Sequence, residues 1–432
     1  MRPMSETEGG RVFVLSQRAP DRVAVQAAPW IPLVVAALVL TLTAGALTGA
    51  IDLWTLRVKL NPVPIDHHRA HGFTQLFGFL GLFTMGVSLH LSPRFFGAAP
   101  PSRELTRFLT WAGIGGVVLF VVGRLGILVP GSPWFGLLGV SAVLAAKTRW
   151  LFMVAGFWRD TPGPKDALQK FLLAGVAWWW VAAACLLVWQ LGQLSGGPLS
   201  QLSLEPVWAA GLFGGVGSWL WGIFFRAGLC TLHLKRPPEA AQQRLLFVWQ
   251  GATLLTFGAA WAHLDLLTAV AAAAMAGAVG LLWWTLNPFS GPGPGNGGPL
   301  QPRAVQAGLV LVLLFALLQV WTVLGAFGLG LPALIHDATR HAFTLGVTLL
   351  VLGFAGRMVP GFRGVTLRWP RLYDAGVMGV IAGAALRMAE LSTGRTGLAL
   401  SGASGGLTFL GLLLAASSLL GSLRRAVETP AS

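Results

Sequence analysis

Five of the eight histidines, the residues here best suited to bind a metal, lie in two segments that repeat one another. Asp66–Thr74 reads DHHRAHGFT, and His336–Thr344 reads HDATRHAFT. Each segment places an Asp, an Arg and a further His around a shared His-small-Phe-Thr sequence. Neutral imidazole is the commonest protein ligand of metal ions and also binds haem iron. The repeat therefore predicts that His71 and His341 are equivalent ligands.

The composition indicates which elements must position these histidines. Of 432 residues, 55% are hydrophobic and only 10% are charged, and the mean hydropathy is +0.70. Such values are typical of a membrane protein and exclude an ordinary soluble domain. The net charge of +15 would suggest a nucleic-acid partner in a soluble protein. Here the basic residues lie mostly in loops between apolar runs, which indicates membrane topology instead.

Apolar runs of about 20 residues recur along the chain, and each is long enough for a spanning helix. They are too continuously apolar for barrel strands, so we expect an all-α polytopic membrane protein of about twelve helices. The predicted spans are Trp30–Trp54, His71–Leu91, Phe108–Val129, Trp134–Phe157, Gln169–Leu191, Pro206–Leu232, Leu245–Ala262, Leu264–Leu286, Val305–Phe327, His341–Val359, Gly376–Leu391 and Gly397–Leu420.

His71 and His341 open the second and tenth of these spans, which run in the same direction because eight spans separate them. The two histidines therefore lie at the same depth and could clamp a haem from opposite sides. An interfacial role, with each imidazole bonded to a helix-end carbonyl or a lipid headgroup, is the alternative. The chain has no CxxCH attachment site, so the predicted cofactor is a non-covalent haem b.

The other histidines fall into two groups by depth. His67 and His336 precede the two principal histidines and could bond haem propionates or a second metal, although a solvated loop role is equally open. His263 falls at the same face and could be a third metal ligand, oriented by Asp265. His90 lies 19 residues after His71, about 28 Å along a helix, so it cannot share that site.

The distribution of Lys and Arg predicts the orientation. Arg-rich loops alternate with loops that are poor in Lys and Arg, although Arg57, Lys59 and Arg69 precede the second helix on the predicted outer side. This pattern places the basic loops and both termini in the cytoplasm and the paired histidines near the outer face of the cytoplasmic membrane. The expected organisation is a tail at residues 1–29, one transmembrane domain at 30–421 and a tail at 422–432. A Gly/Pro-rich linker at 287–302 interrupts the domain.

The run Arg69–Phe95 (RAHGFTQLFGFLGLFTMGVSLHLSPRF) resembles the second helix of the haem–copper oxidase subunit I superfamily, which includes nitric oxide reductases. In that superfamily, the second and tenth helices supply the ligands of a low-spin haem, which the resemblance carries to His71 and His341. It also implies three pseudo-equivalent arcs of four helices. However, the tenth span has no second His and the seventh offers only His263, so the oxygen-reducing centre of those oxidases is incomplete here.

The chain length, the segment His336–Gly364 and the incomplete copper site resemble the NnrS family more closely. That family comprises haem- and copper-containing membrane proteins linked to nitric oxide and nitrosative stress. The HxHE start typical of the family is absent, since this chain reads His67-His68-Arg69-Ala70-His71. The resemblance therefore implies haem b and leaves copper open.

Three functions follow as expectations. The leading one is a b-type haem protein of the NnrS type that responds to nitric oxide. A divergent quinol-linked oxidase or nitric oxide reductase catalytic subunit is the enzymatic alternative, with nitric oxide or quinol as the partner. A membrane transporter without a cofactor is the third.

Overall fold

The computed structural model describes residues 28–58, 64–126, 133–196, 202–290, 300–328, 334–393 and 398–428. Within them, twelve helices are long and apolar enough to cross a membrane, as predicted. The chain is thus a polytopic all-α membrane protein. Numbered α1 to α12 in chain order, the helices are Ile31–Thr55, Ile65–Phe96, Arg103–Leu125, Pro133–Asp160, Ala167–Ser195, Glu205–Arg226, Glu239–Ala262, Asp265–Leu286, Gln301–Gly325, Ala338–Gly361, Pro370–Glu390 and Gly402–Arg424.

Several helices begin before the apolar runs that predicted them. Helix α2 begins at Ile65, directly after Pro64 in an extended conformation (ψ 134°), rather than at His71. Helix α3 begins at Arg103 with the Ser102 side chain as its N-cap, rather than at Phe108. Apolarity marks the part of a helix that lies in hydrocarbon, whereas the polar first turns lie at the interface and depend on caps. His71 therefore lies in the second turn of α2.

Large apolar side chains point outward from the peripheral helices. Trp111, Phe152, Phe247, Leu266 and Trp284 are each between 66% and 83% exposed. A soluble protein does not expose apolar area on this scale around its circumference, whereas a bilayer solvates it. The outward faces of these helices are therefore lipid-facing.

Helices α2, α6 and α10 form the interior of the molecule. Between 72% and 94% of their most apolar windows is buried, against 33% to 50% for the other nine described spans. Most consecutive helices pack side by side around them, and α12 packs against α1. The four-helix interval between the interior helices matches the repeat unit expected from the sequence, and it brings His71 and His341 onto interior helices.

Glycines allow several neighbouring helices to approach to backbone contact. A Cβ at Gly116 of α3 would lie 2.7 Å from the carbonyl oxygen of Gly139 in α4. Gly308 of α9 and Gly346 of α10 form a second such pair, also at 2.7 Å. Without a hydrophobic force between helices in lipid, this close packing supplies much of the attraction between them.

Four π-helical segments interrupt the described helices, and all lie in α1, α2 and α6: Thr41–Gly45, Thr74–Leu80, Ala209–Gly217 and Phe224–Gly228. Wide turns of this kind are rare and are often found at functional sites. They occur in the two helices that meet at His71 and in the neighbouring interior helix.

The predicted tails and linker fall partly outside the described residues. This holds for residues 1–27 of the N-terminal tail, for 291–299 of the Gly/Pro linker and for the last four residues. Around the linker, α8 ends at Asn287 in the left-handed conformation, with φ 41°. The helix that contains α12 continues to Glu428, into the segment predicted as the C-terminal tail.

Candidate functional site

The His71 side chain fits against a glycine face of α1. Its Nδ1 lies 2.9 Å from the carbonyl oxygen of Gly45, the last residue of a π-helical segment. Since a carbonyl can only accept, Nδ1 donates this hydrogen bond, and the neutral ring keeps its lone pair on Nε2. Gly49 lies one turn further along α1, and a Cβ there would come within 2.5 Å of the ring atom Cε1.

Gln75 extends the contact between α1 and α2 by one turn. It follows His71 by four residues and accepts a hydrogen bond of 2.9 Å from the Thr41 hydroxyl. A Cβ on Gly45 would lie 3.1 Å from the Gln75 Nε2 atom. The glycines four residues apart on α1 thus leave room for two polar side chains four residues apart on α2.

Asp52 forms the end of this face, beside two further histidines. Its carboxylate is buried, with Oδ1 at 3.5 Å from His67 Nδ1 and Oδ2 at 3.7 Å from His68 Nδ1. Oδ2 has no hydrogen-bond partner among the described residues. His67, predicted to bind propionates or a second metal, is therefore paired with a carboxylate. His68, which the sequence did not distinguish, lies in the same cluster.

His341 is half-buried in α10, and it lies close enough to His71 for the two imidazoles to interact electrostatically. The structure thus brings together the two principal histidines of the repeat. The corresponding extra residue, His336, lies in the first turn of the helix Leu334–Gly361. Its side chain is outside the described residues.

Trp208 of α6 lies at the depth of the two histidines. A Cβ on Gly72, the residue after His71, would come within 2.7 Å of the Trp208 ring. It lies near the start of α6, as His71 and His341 lie near the starts of α2 and α10. The third interior helix therefore contributes an indole to the wall next to His71.

Basic and acidic side chains from several helices meet at this end of the molecule. Arg124 of α3 lies 3.2 Å from the Asp66 carboxylate and donates to Gln190 at 2.6 Å. The guanidinium groups of Arg69 and Arg124 both lie over the Trp189 ring, at 5.2 Å and 4.9 Å from its centroid. Their charges are partly shielded from solvent and fixed in position.

A second ion pair joins the two interior helices at the same end. Arg340, the residue before His341, donates a hydrogen bond to Glu205 at the start of α6. Both side chains are about one-third exposed. The pair ties the His341 segment to the helix that carries Trp208.

His263, predicted as a metal ligand, is positioned differently. It ends α7 in the left-handed conformation, with φ 51°, and is exposed. The structure shows no hydrogen bond or ion pair between it and Asp265, which begins α8. Among the described residues, no group of three or more His, Cys, Asp or Glu side chains is arranged to hold a metal.

His90 lies at the opposite end of α2, as expected. Its ring packs 4.0 Å from Phe362 and 5.8 Å from Trp30, centroid to centroid. His233 ends the helical turn Leu229–Leu232 in the left-handed conformation. Neither histidine takes part in the site at His71.

Lys147 is a buried cation that the sequence analysis missed. It lies within α4 and is only 2% exposed. Its ammonium donates to the Gly81 carbonyl at 3.1 Å and lies 4.5 Å and 4.8 Å from the ring centroids of Trp179 and Trp150. Gly81 directly follows the π-helical segment of α2. Charges inside a membrane are rare and mark functional positions.

The described residues around His71 fit a bound haem in two respects. The carbonyl of Gly45 fixes the tautomer that leaves Nε2 available, as partner groups do for histidines that bind metals. A second imidazole, His341, lies on another helix within electrostatic range of His71, and imidazole is a common ligand of haem iron. Arg69, Arg124 and Arg340 lie at the same end, each already paired with Asp66 or Glu205.

A scan against protein-family models found no matching family, and a search of curated proteins found no similar sequence.

Proposed function

We propose that this chain is a b-type haem-binding membrane protein in which His71 and His341 would hold the haem iron. The proposal rests chiefly on one observation, the hydrogen bond from His71 Nδ1 to the Gly45 carbonyl beside a second imidazole. This bond occupies the backbone carbonyl of Gly45 and holds the His71 ring in a single orientation. Gly45 lies within α1 and not at a helix end, so the bond differs from the helix-end contact expected of an interfacial histidine and resembles the partner contact of a metal-binding histidine.

When bound, haem would supply reversible one-electron chemistry. The protein holds Nε2 of His71 unprotonated and keeps it within a largely buried bundle. We further propose a role in the response to nitric oxide, in keeping with the resemblance of the two histidine segments to NnrS proteins. A quinol is the candidate electron donor.

We also propose the inner membrane of a bacterial-type cell, with the histidine end facing outward and both termini cytoplasmic. The support is the concentration of basic loops at the opposite end. Arg69, Arg124 and Arg340 lie at the proposed outer end, where each is paired with Asp66 or Glu205.

An optical spectrum of the purified full-length protein tests the haem. Reduction with dithionite should give the sharp α-band of a six-coordinate low-spin haem b, because two imidazoles produce a strong ligand field. His71→Ala and His341→Ala should each yield high-spin or lost haem in protein that still inserts, since insertion depends on apolar runs. His90→Ala is the matched control, about 28 Å away along α2, and should keep the wild-type spectrum.

A wild-type low-spin spectrum in both His71→Ala and His341→Ala would contradict the assignment of the ligands. Absence of any haem from the wild-type protein, expressed with sufficient haem supply, would refute the function itself.

A transporter without a cofactor is the second candidate, and Lys147 favours it. A fully buried ammonium between interior and peripheral helices is the kind of group that binds an anion or carries a proton in transport proteins. The optical spectrum separates the two candidates. A transporter without a cofactor would show no absorption band at wavelengths longer than those of its tryptophans.

A further inference from the structure

A cavity of about 720 Å³ opens at the end of the molecule opposite to His71. Its walls come from the segment that joins α6 to α7, the beginning of α7 and the last turns of α8. The cavity is therefore built from three chain segments at the end of the membrane-spanning region, at the level where lipid headgroups lie.

The polar side of the cavity is positively charged. It is lined by Lys235, Arg236 and Arg244, together with His233. Arg236 lies 3.5 Å from the Glu239 carboxylate, so its charge is partly balanced. Lys235 and Arg244 are exposed and form no ion pair or hydrogen bond with any of the described residues. Two cations thus face the cavity without a balancing anion.

The other side of the cavity is apolar and continues into the lipid-facing surface. Leu281 and Trp284 line it from α8, and Trp284 is 83% exposed. A tryptophan in the last turn of a spanning helix lies at the boundary between headgroups and acyl chains. A ligand with an anionic group in the cavity could therefore extend an apolar chain along α8.

We propose that this cavity binds the phosphate headgroup of an anionic phospholipid, with Lys235 and Arg244 as the phosphate ligands and Trp284 against the acyl chain. The charge selects a phosphate that has no balancing ammonium, and the apolar wall selects a lipid rather than a soluble phosphate. The proposal concerns the end of the molecule remote from His71 and His341 and is independent of the haem.

The test measures lipid binding to the full-length protein in detergent by native mass spectrometry. Phosphatidylglycerol is titrated against phosphatidylcholine, which has the same phosphate and chains but a quaternary ammonium. Each basic residue near a membrane surface contributes about 1 kcal/mol. Lys235→Gln with Arg244→Gln should therefore weaken phosphatidylglycerol binding roughly 30-fold and abolish its preference over phosphatidylcholine.

The matched control is Arg103→Gln with Arg107→Gln, which removes the same charge from exposed positions at the same end of the molecule. It should leave the phosphatidylglycerol affinity unchanged. Trp284→Ala should weaken binding of both phospholipids. Inorganic phosphate at millimolar concentration should not displace phosphatidylglycerol.

Equal losses in the two double variants would overturn the proposal, because the effect would then come from net charge alone. Displacement of phosphatidylglycerol by inorganic phosphate, together with wild-type binding in Trp284→Ala, would also overturn it in favour of a soluble anion. All five substituted side chains are exposed, so the variants should fold; an unchanged elution volume and helical circular dichroism check this.

Discussion

Replacing Gly49 with alanine would place a methyl group where the His71 ring now lies. The added carbon would be 2.5 Å from Cε1, 2.7 Å from Nδ1 and 3.2 Å from Nε2 of that ring. Ordinary contacts of this kind are 3.4 Å or longer. The imidazole is rigid, so it must retreat as a unit by about 1 Å, the difference between the two distances.

A retreat of this size would break the hydrogen bond that orients His71. The Nδ1 to Gly45 oxygen distance is 2.9 Å, and lengthening it by about 1 Å takes it beyond hydrogen-bonding range. A ligand must be held within about 0.5 Å of its productive position. We therefore expect Gly49→Ala to lower the haem content or convert the low-spin spectrum to high-spin, as measured in the purified protein.

The same substitution should also destabilise the protein without haem. Overpacking costs about 1–3 kcal/mol, and removing a helical glycine returns about 0.5–1 kcal/mol. A net loss of roughly 0–2.5 kcal/mol follows from these two terms. Thermal unfolding of the haem-free protein in detergent should show a lowered midpoint, which makes this part of the prediction independent of the cofactor.

Gly251→Ala provides the control, because a Cβ at Gly251 in α7 meets no atom within 4 Å. It should match or exceed wild-type stability and keep the wild-type spectrum. If Gly49→Ala behaves as Gly251→Ala does in both measurements, the ring of His71 is not held against α1, and the argument from the Gly45 carbonyl fails.

Three further predictions concern other parts of the molecule. Lys147→Met should insert and unfold at or above the wild-type temperature, because it removes a costly buried charge; Lys147→Glu should fail to yield monodisperse protein, since a carboxylate cannot donate to the Gly81 carbonyl. Gly139→Ala should lower the unfolding midpoint, because its Cβ would lie 2.6 Å from the backbone of α3 and overpacking costs about 1–3 kcal/mol. On a background without the native cysteines, Ser290→Cys should react with an impermeant thiol reagent only after permeabilisation, whereas His263→Cys should react in intact cells; the reverse pattern would invert the proposed orientation.

The sequence by itself determined the class of protein and its twelve spans. Both follow from the length and spacing of apolar runs, since lipid admits only segments that satisfy their own backbone. The same pattern placed His71 and His341 at one depth. Spans separated by an even number of crossings run in the same direction, and each of these histidines opens its span. Helix starts such as Ile65 and Arg103 were less accurate, since polar first turns depend on caps and interface contacts.

Only the tertiary structure decided which side chains meet at His71. The sequence presents α1 and α2 as two ordinary apolar runs. Nothing in their hydropathy indicates that Gly45 and Gly49 of α1 lie against His71 of α2. Two glycines four residues apart in α1 were a signal that sequence reasoning could have used. Asp52, a lone acid within an apolar run, was another.

Lys147 shows the same limit in a different way. Its position within α4 could be read from the sequence, but its partners Gly81 and Trp179 lie on other helices. The Gly81 carbonyl that accepts from Lys147 lies directly after the π-helical segment of α2. No local residue pattern predicts that segment. Contacts between helices depend on how the whole bundle packs in three dimensions, whereas span, depth and direction depend on the chain alone.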